Sequence, residues 1–210
     1  MRIILADDHV MFRRSLSELL SREGFEVVAE GSDGMETVSL AQRLDPDVVV
    51  LDMNMPNLNG VEVTRELSRL GLRAKTVILT MFEDDTTVRE ALRAGATGYV
   101  LKTQAPTDLV QVLRDISEGK RYLSPGITNN VVDVCLRRDG EEDEPETLTS
   151  RERQILQLVA EGNATKEIAR LLNLTIKTVE SHRSRLMRKL DTGNIAGLVR
   201  HAVRQGIIRP

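Results

Sequence analysis

Five short apolar segments alternate with helical patterns through the first 120 residues, and this alternation constrains the fold more than any other feature. The apolar segments are residues 2–6, 25–30, 47–51, 75–79 and 98–101. The helical patterns between and after them are 11–22, 34–44, 60–70, 85–94 and 106–119. Strands that are apolar on both faces are typical of a parallel sheet covered by helices on each side. The sequence therefore predicts an α/β fold with a doubly wound, five-stranded parallel sheet.

Polar side chains stand where four of the predicted strands end. Asp7 and Asp8 follow the first strand, Asp52 ends the third, Thr80 the fourth and Lys102 the fifth. Taken singly, the first two could cap a helix, and the lysine could be a solvated surface residue. Ligands of doubly wound sheets bind at the carboxyl ends of the strands. Together, at that edge, these five side chains indicate a ligand site.

The chemistry of this set favours phosphoryl transfer. Clustered carboxylates need a hard cation, and Mg²⁺ takes oxygen ligands from one or two carboxylates while keeping several waters. An aspartate can attack phosphorus and form an aspartyl-phosphate. Phosphoryl transfer then needs mainly positioning and charge neutralisation, which Mg²⁺ and Lys102 supply. Because the set holds no obvious general base for rapid hydrolysis, it indicates a phosphate that persists as a signal.

These residues resemble the receiver domain of bacterial two-component response regulators. The resemblance covers residues 1–120 and rests on Asp7-Asp8, Asp52 with Pro56 and Gly60 behind it, Thr80, and Tyr99 three residues before Lys102. It implies that Asp52 is the phosphoacceptor of a sensor histidine kinase. The implied Mg²⁺ ligands are Asp7, Asp8, Asp52 and the backbone carbonyl of Asn54.

The same resemblance implies a switch behind the phosphoacceptor. Lys102 would pair with the phosphoryl group, while the Thr80 hydroxyl moves toward it and the Tyr99 ring turns inward. A plain core position is the alternative for Tyr99. His9, directly after the acidic pair, is predicted to be a surface residue at a helix start, because the site prefers oxygen ligands.

Two other functions compete with a signalling switch. A Mg²⁺-dependent phosphohydrolase of the haloacid dehalogenase type would use an aspartyl intermediate, but it needs an acid/base aspartate two residues after the nucleophile. That position is Asn54, which cannot transfer the proton. The other alternative is a binding module that works without phosphate. A Gly-rich nucleotide loop is excluded, since none follows the first strand.

Residues 121–146 are predicted to form a linker, with a short helix opening at Ser124-Pro125 and an acidic run at 137–146. The run is either a solvated tether or a competitor for the partner of the basic segment that follows. The single cysteine, Cys135, cannot form an intrachain disulfide and fits a reducing cytoplasm. No segment reaches the ~20 apolar residues of a membrane span. A cytoplasmic protein is therefore expected.

Charge divides the chain into unlike halves. Residues 1–120 hold 14 Lys and Arg against 20 Asp and Glu, whereas residues 147–210 hold 12 against 5. The basic half contains only helical patterns, with a capping box of Thr149 and Glu152 before the first of them. A tight junction at Thr175 then joins two helices as in a helix-turn-helix, whose second helix enters the major groove. With no Trp and only 2 Tyr in the chain, double-stranded DNA is the predicted partner.

Apolar periodicity predicts which residues of the helices are buried. In the first helix of the chain, Met11, Leu16, Leu19 and Leu20 form one stripe. In the second helix of the helix-turn-helix the predicted buried face is Ile176, Val179, Leu186 and Leu190.

The motifs LTSRE, GNATKEIA and TVESHRSRLMRKL resemble the DNA-binding domain of LuxR-type regulators, and joined to a receiver they resemble the NarL/FixJ branch of response regulators. The resemblance implies phosphate contacts by Lys166, Lys177, Thr178 and Arg185. It implies base-facing positions at Glu180, Ser181 and Ser184, with Arg188 on the same outer face. For Glu180, an ion pair on its own helix is the alternative to base recognition. Homodimers are also implied, with a seam formed by Val199, Ala202 and Val203.

Overall fold

The computed structural model describes residues 1–81, 85–124 and 148–208, which fall into two compact units. The first unit ends at residue 124 of the described chain, and the second begins at residue 148. The predicted linker helix and the acidic run lie outside the described residues, as does Cys135. No described helix is both long and apolar enough to cross a membrane.

The first unit is a parallel sheet with helices on both faces, as predicted. Its strands are β1 (Arg2–Ala6), β2 (Glu26–Gly31), β3 (Val48–Asp52), β4 (Lys75–Thr80), β5 (Gly98–Leu101) and β6 (Tyr122–Leu123). Its helices are α1 (Val10–Arg22), α2 (Gly34–Leu44), α3 (Gly60–Arg69), α4 (Asp85–Ala94) and α5 (Ala105–Ser117). The strand order is β2-β1-β3-β4-β5-β6, with every pair parallel.

Alternate residues of each strand enter two separate cores, because successive side chains of a strand point to opposite faces. Ile4, Val49 and Ile78 lie in the core that includes residues of α2, α3 and α4. Ile3 and Val50 lie in the other, together with residues of α1 and α5. Burial on both faces holds the ends of the central strands in fixed positions.

The sequence prediction of five strands was wrong by one. The segment Tyr122–Leu123, predicted as the start of the linker, pairs with β5 as a sixth strand. Ser124 extends the pairing, since its N–H donates to the Tyr99 carbonyl at 3.0 Å and its Oγ accepts from the Leu101 N–H at 3.2 Å. A two-residue strand has too short an alternation to be detected by periodicity, so a turn was predicted instead.

The second unit contains four described helices: α6 (Ser150–Ala160), α7 (Thr165–Leu171), α8 (Ile176–Lys189) and α9 (Ile195–Arg204). The predicted capping box is present at the start of α6, where Thr149 and Glu152 bond each other's main chain. Thr175 caps α8 by accepting from the Thr178 N–H at 3.1 Å. The short connection from α7 to α8 gives a helix-turn-helix, as predicted.

Three apolar residues do not lie where periodicity or the family resemblance placed them. Met11 is 76% exposed and Ile176 is 47% exposed, so neither belongs to the buried stripe of its helix. Both lie in the first turn of a helix. Ala202, expected at a dimer seam, is fully buried inside its own unit and cannot form a surface contact. Of that predicted seam, Val199 and Val203 are half-buried.

Candidate functional site

Asp52 is a fully buried carboxylate at the last position of β3. Its strand neighbour on β4 is Leu79, and the next amide, that of Met53, donates to the Leu79 carbonyl at 2.7 Å. The apolar run before it is buried along its whole length. The aspartate therefore stands on a rigid strand end rather than on a loop.

Asp7 and Asp8 lie beside Asp52 but in different environments. Asp7 is fully buried, while the Asp8 side chain is 35% exposed. Asp7 does not cap α1, which was one possibility from the sequence. Its Oδ1 instead accepts at 2.7 Å from the main-chain N–H of His9, and His9 is the residue that directly precedes the helix. The pair thus presents one carboxylate to the interior of the site and one to its opening.

Lys102 supplies the positive charge that two buried carboxylates require. Its Nζ lies 2.7 Å from Asp7 Oδ2 and 2.9 Å from Asp52 Oδ1, and its side chain is only 7% exposed. Lys102 therefore links the two carboxylates in the interior, and the alternative of a solvated surface lysine is wrong. Desolvated charges are tolerated when they are paired in this way.

Thr80 and Tyr99 reach the same edge from β4 and β5. Thr80 is buried at the end of β4, and its carbonyl accepts from the Lys102 N–H at 2.6 Å. The Tyr99 ring is fully buried in the core that also holds Met55 and Val88. The fold therefore ties the three residues of the expected switch to two adjacent strands.

The loop after Asp52 is fixed by close main-chain contacts. The Gly60 N–H donates to the Met53 carbonyl at 3.0 Å, and the Gly34 N–H donates to the Pro56 carbonyl at 3.3 Å. A Cβ at Gly60 would lie 2.6 Å from the Asp52 carbonyl oxygen, so only glycine fits there without displacement. Asn54, half-buried, lies in this loop two residues beyond Asp52.

The donor atoms at this edge suit a divalent cation. One ligand atom from each of Asp7, Asp8, His9 and Asp52 can be chosen so that all four lie within 4.8 Å of one another. Three of the four are carboxylates, the ligand type that Mg²⁺ prefers. Mg²⁺ therefore fits this set of side chains.

Sequence reasoning missed two residues that support the site from α1. The Phe12 ring lies under Lys102, with the Nζ 5.0 Å from the ring centroid, which adds a cation–π contact. The Arg13 guanidinium donates to the Asp7 carbonyl, and its Nε donates to Glu30 at 3.0 Å. The only sequence signal for either residue is its place in the first turn of the helix after the acidic pair.

The expected DNA-contacting side chains lie together on the second unit. Lys166 is exposed on α7, and Thr178 is half-buried beside its hydroxyl partner Thr175 at 2.8 Å. On α8 the exposed residues of the predicted set are Lys177, Glu180, Ser181, Ser184, Arg185 and Arg188. Glu180 makes no ion pair with any residue that the structure describes. The outer face of α8 is thus a polar surface on which basic side chains outnumber acidic ones.

Two cations that flank this face are engaged inside the unit. Arg183 donates to the Thr165 hydroxyl at 2.7 Å, which connects α8 to α7. Lys189 Nζ lies 2.6 Å from the Glu152 carboxylate, a buried group of α6. Burial alone would raise the pKa of Glu152, but hydrogen bonds from Lys189 and from Thr149 outweigh it and lower that pKa. These contacts fix the orientation of α8 within its unit.

Comparison with known proteins identifies both units. The family "Response regulator receiver domain" matches residues 3–114, and "Bacterial regulatory proteins, luxR family" matches residues 146–202. The transcriptional regulatory protein LiaR of Bacillus subtilis is 40% identical, over 92% of each chain. The nitrate/nitrite response regulator protein NarL of Escherichia coli is 38% identical, over 90% of this chain and 88% of its own.

Solved structures give the same result. A two-component response regulator of the LuxR family from Aurantimonas sp. aligns with a TM-score of 0.61 at 36% identity, over 64% of this chain and 97% of that chain. The response regulator RcsB, in a complex with DNA, aligns with a TM-score of 0.60 at 28% identity over 96% of each chain. The chain therefore belongs to the two-component response regulators that join a receiver domain to a LuxR-type, helix-turn-helix DNA-binding domain.

Proposed function

We propose that phosphorylation of Asp52 by a sensor histidine kinase controls the binding of the LuxR-type unit to double-stranded DNA. The observation that carries this proposal is the position of Asp52. It is a fully buried carboxylate at a strand end, with the Lys102 ammonium 2.9 Å from its Oδ1. A nucleophile held next to a fixed cation is what transfer of a negatively charged phosphoryl group needs.

In the proposed reaction an Asp52 carboxylate oxygen attacks phosphorus, forming the acyl phosphate as the bond from phosphorus to the donor breaks. Lys102 exchanges its contact with the Asp52 oxygen for one with the incoming phosphoryl group. Mg²⁺, held by Asp7, Asp8, Asp52 and the Asn54 carbonyl, would neutralise charge on the phosphoryl oxygens. The Thr80 hydroxyl donates to the same group.

We infer that the switch uses the strands that carry these residues. Thr80 and Lys102 are joined by a main-chain hydrogen bond of 2.6 Å. Tyr99 lies on β5, whose last residue, Leu101, directly precedes Lys102. When Thr80 moves toward the phosphate, it vacates space on the side away from the phosphate. The Tyr99 ring then packs into that space. Two packings of the ring provide the two states whose populations phosphorylation shifts.

We propose that the chain acts as a switch and not as a phosphohydrolase. A hydrolase of the aspartyl type needs a proton-transferring carboxyl at the position of Asn54, whose amide cannot serve. No turnover of a generic phosphomonoester is therefore expected. Release of inorganic phosphate at many equivalents per chain would contradict this.

The proposed partner of the second unit is double-stranded DNA, approached by the outer face of α8. RcsB, similar over nearly its whole length, has been solved as a complex with DNA and as two dimers bound to two parallel DNAs. We infer that this chain likewise binds as a homodimer on paired half-sites. Because DNA is the proposed partner, we also propose a cytoplasmic location.

Labelling with a small phosphodonor tests the assignment of Asp52. The full chain is incubated with radiolabelled acetyl phosphate and Mg²⁺, as wild type and as Asp52→Asn. Loss of label is expected only in Asp52→Asn, because the side-chain amide is not a nucleophile toward phosphorus. Asp45→Asn is the matched control: Asp45 is exposed before β3 with φ of 45°, a conformation that asparagine also tolerates. Label that persists in Asp52→Asn would refute the assignment.

A further inference from the structure

We propose that His9 is an additional metal ligand, which lets the acidic site bind divalent ions of the Zn²⁺ class as well as Mg²⁺. This inference rests on the proposed metal site and concerns its selectivity. Sequence alone gave His9 only a surface position at the start of α1. The structure confirms that exposed position and also places the ring against both carboxylates of the acidic pair.

The distances match the spacing of ligands around one ion. His9 Nδ1 lies 2.6 Å from Asp8 Oδ1 and 3.2 Å from Asp7 Oδ1. Donors bound to one tetrahedral Zn²⁺ are each ~2.0–2.2 Å from the metal, which puts them about 3.3 Å from one another. The contact between His9 and Asp8 must then open from 2.6 Å by about 0.7 Å. Both side chains are partly exposed, so they are free of the close packing that would resist this.

Asp7 divides the site into an inner and an outer side. Its Oδ2 faces Lys102 Nζ at 2.7 Å, whereas its Oδ1 faces His9. The Lys102 ammonium thus engages only the inner oxygen of Asp7. The outer side is lined by Asp8, 35% exposed, and His9, 53% exposed. An ion bound through Asp7 Oδ1 therefore has an imidazole nitrogen within reach, and water can complete its coordination.

The two classes of ion use this nitrogen differently. Mg²⁺ prefers oxygen ligands and keeps several waters, so it gains little from an imidazole. Zn²⁺, Co²⁺ and Ni²⁺ bind imidazole nitrogen well. A neutral ring with its proton on Nε2 presents the Nδ1 lone pair to the ion. His9 should thus strengthen the binding of Zn²⁺ while leaving the binding of Mg²⁺ unchanged.

Metal titration of the full chain tests the proposal. The dissociation constants of Zn²⁺ and Mg²⁺ are measured at one fixed pH by competition with a fluorescent chelator. The chains compared are the wild type, His9→Asn and the matched control His182→Asn, which removes a histidine of the other unit. We expect His9→Asn to weaken Zn²⁺ binding by about tenfold or more, the size of effect seen when a metal site loses a supporting group. Mg²⁺ binding should stay within about twofold of wild type, well below that effect.

Three outcomes would overturn the inference. An unchanged Zn²⁺ affinity in His9→Asn shows that the ion takes no nitrogen from His9. An equal loss of Zn²⁺ and Mg²⁺ affinity shows that His9 only supports the carboxylates. An equal loss of Zn²⁺ affinity in His9→Asn and His182→Asn places the ion elsewhere. Failure of the proposed function is distinct, since it appears as a wild-type chain that acetyl phosphate does not label.

Discussion

Lys102 is the residue on which the charge balance of the acidic edge depends. Its Nζ contacts a carboxylate oxygen of Asp7 and one of Asp52, and all three side chains are nearly excluded from solvent. Removing one partner of a buried ionic group leaves the other charges uncompensated, which is strongly destabilising. The same contacts that would hold a phosphoryl group thus also stabilise the unphosphorylated receiver.

Replacing Lys102 by methionine keeps most of its volume and removes its charge. We expect the receiver to lose about 3 kcal/mol of unfolding free energy at neutral pH in the absence of divalent ions, since two buried carboxylates then face each other. Urea denaturation, followed by a signal from the receiver, measures the change.

A second substitution separates charge from packing. In Lys102→Met combined with Asp7→Asn, one of the two carboxylates is gone, and most of the lost stability should return. The single variant Asp7→Asn completes the thermodynamic cycle. If the double variant is as unstable as Lys102→Met alone, the loss came from packing around Phe12 and not from charge.

At the scale of single residues, the acidic edge could be predicted because topology gathers it. The ends of parallel strands meet at one edge, so strand positions alone bring Asp7, Asp52 and Lys102 together. The supporting contacts of Phe12 and Arg13 could not be predicted, since they depend on how α1 lies against the sheet. The exposure of Met11 could not be predicted for a related reason. Periodicity shows which face of a helix is apolar, but it does not show where along the helix that face stops contacting the sheet.

At the scale of elements, α6 illustrates how a helix start can set the stability of a domain. Glu152 closes the capping box with Thr149 and also pairs with Lys189 of α8. Its pKa is lowered by hydrogen bonds from Lys189 and Thr149 in spite of burial. A lowered pKa means that the carboxylate contributes stability above pH 4.5, its ordinary value, and that this contribution is lost as pH falls through the lowered value.

Glu152→Gln should therefore destabilise the DNA-binding unit by about 1 kcal/mol at neutral pH, the usual size of a lost cap. The difference from wild type should shrink as pH falls below 4.5 and vanish below the lowered pKa of Glu152, where the native wild-type carboxylate itself becomes protonated. Hydrogen exchange of the α6 amides reports this unit separately from the receiver. Glu180→Gln, which changes an exposed glutamate of the same unit, is the control and should leave exchange unchanged. A pH-independent difference would contradict the ionic account.

The outer face of α8 leads to a prediction about DNA recognition. Arg185→Ala should weaken binding to every sequence by a similar factor and reduce the slope of log affinity against log salt by about 1, because a phosphate contact is lost. Glu180→Ala should instead change the preference for one base pair by about 1–3 kcal/mol, since a glutamate can accept from a cytosine amino group.

Binding to a randomised duplex pool at several salt concentrations separates the two effects. Arg14→Ala makes the same change of charge on an exposed residue of the receiver and should alter neither quantity. A uniform loss of affinity from both Arg185→Ala and Glu180→Ala would exclude Glu180 as a base-reading residue.

Element boundaries were predictable where apolar periodicity was long and caps were present, as in α6 and α8. The sixth strand was not, because Tyr122 and Leu123 become a strand only through the free edge that β5 offers. The burial of Ala202 was not predicted, because the resemblance implied a dimer interface on α9 without showing which residues of that helix face the interior of their own unit. The sixth strand and the burial of Ala202 both depend on tertiary contacts, which the sequence of a single segment does not show.

At the scale of the whole molecule, an acidic receiver is followed by a basic DNA-binding unit. Residues 1–120 carry 20 acidic against 14 basic side chains, and residues 147–210 carry 5 against 12. The basic unit alone would be attracted to any DNA through its phosphates. A receiver of opposite charge in the same chain should lower this general attraction, so the proposed specific contacts of α8 would contribute a larger share of the affinity.

Beryllofluoride, which mimics a phosphoryl group on an aspartate, should change the assembly of the full chain. With Mg²⁺ present, we expect the mass measured by analytical ultracentrifugation to shift from monomer toward dimer in wild type and in Asp45→Asn. Asp52→Asn should remain unshifted because it cannot hold the mimic. A shift in Asp52→Asn as large as in wild type would show that assembly does not depend on this site.

The sixth strand determines where this chain can be divided. A receiver fragment ending at residue 120, the boundary that sequence predicts, would lack β6 and leave the main-chain groups of Tyr99 and Leu101 open at the sheet edge. An open edge strand is a template for pairing with other chains. Such a fragment would tend to aggregate whether or not Asp52 is phosphorylated. A fragment ending at Ser124 keeps the edge closed by a very short strand, so its self-association would report on the switch alone.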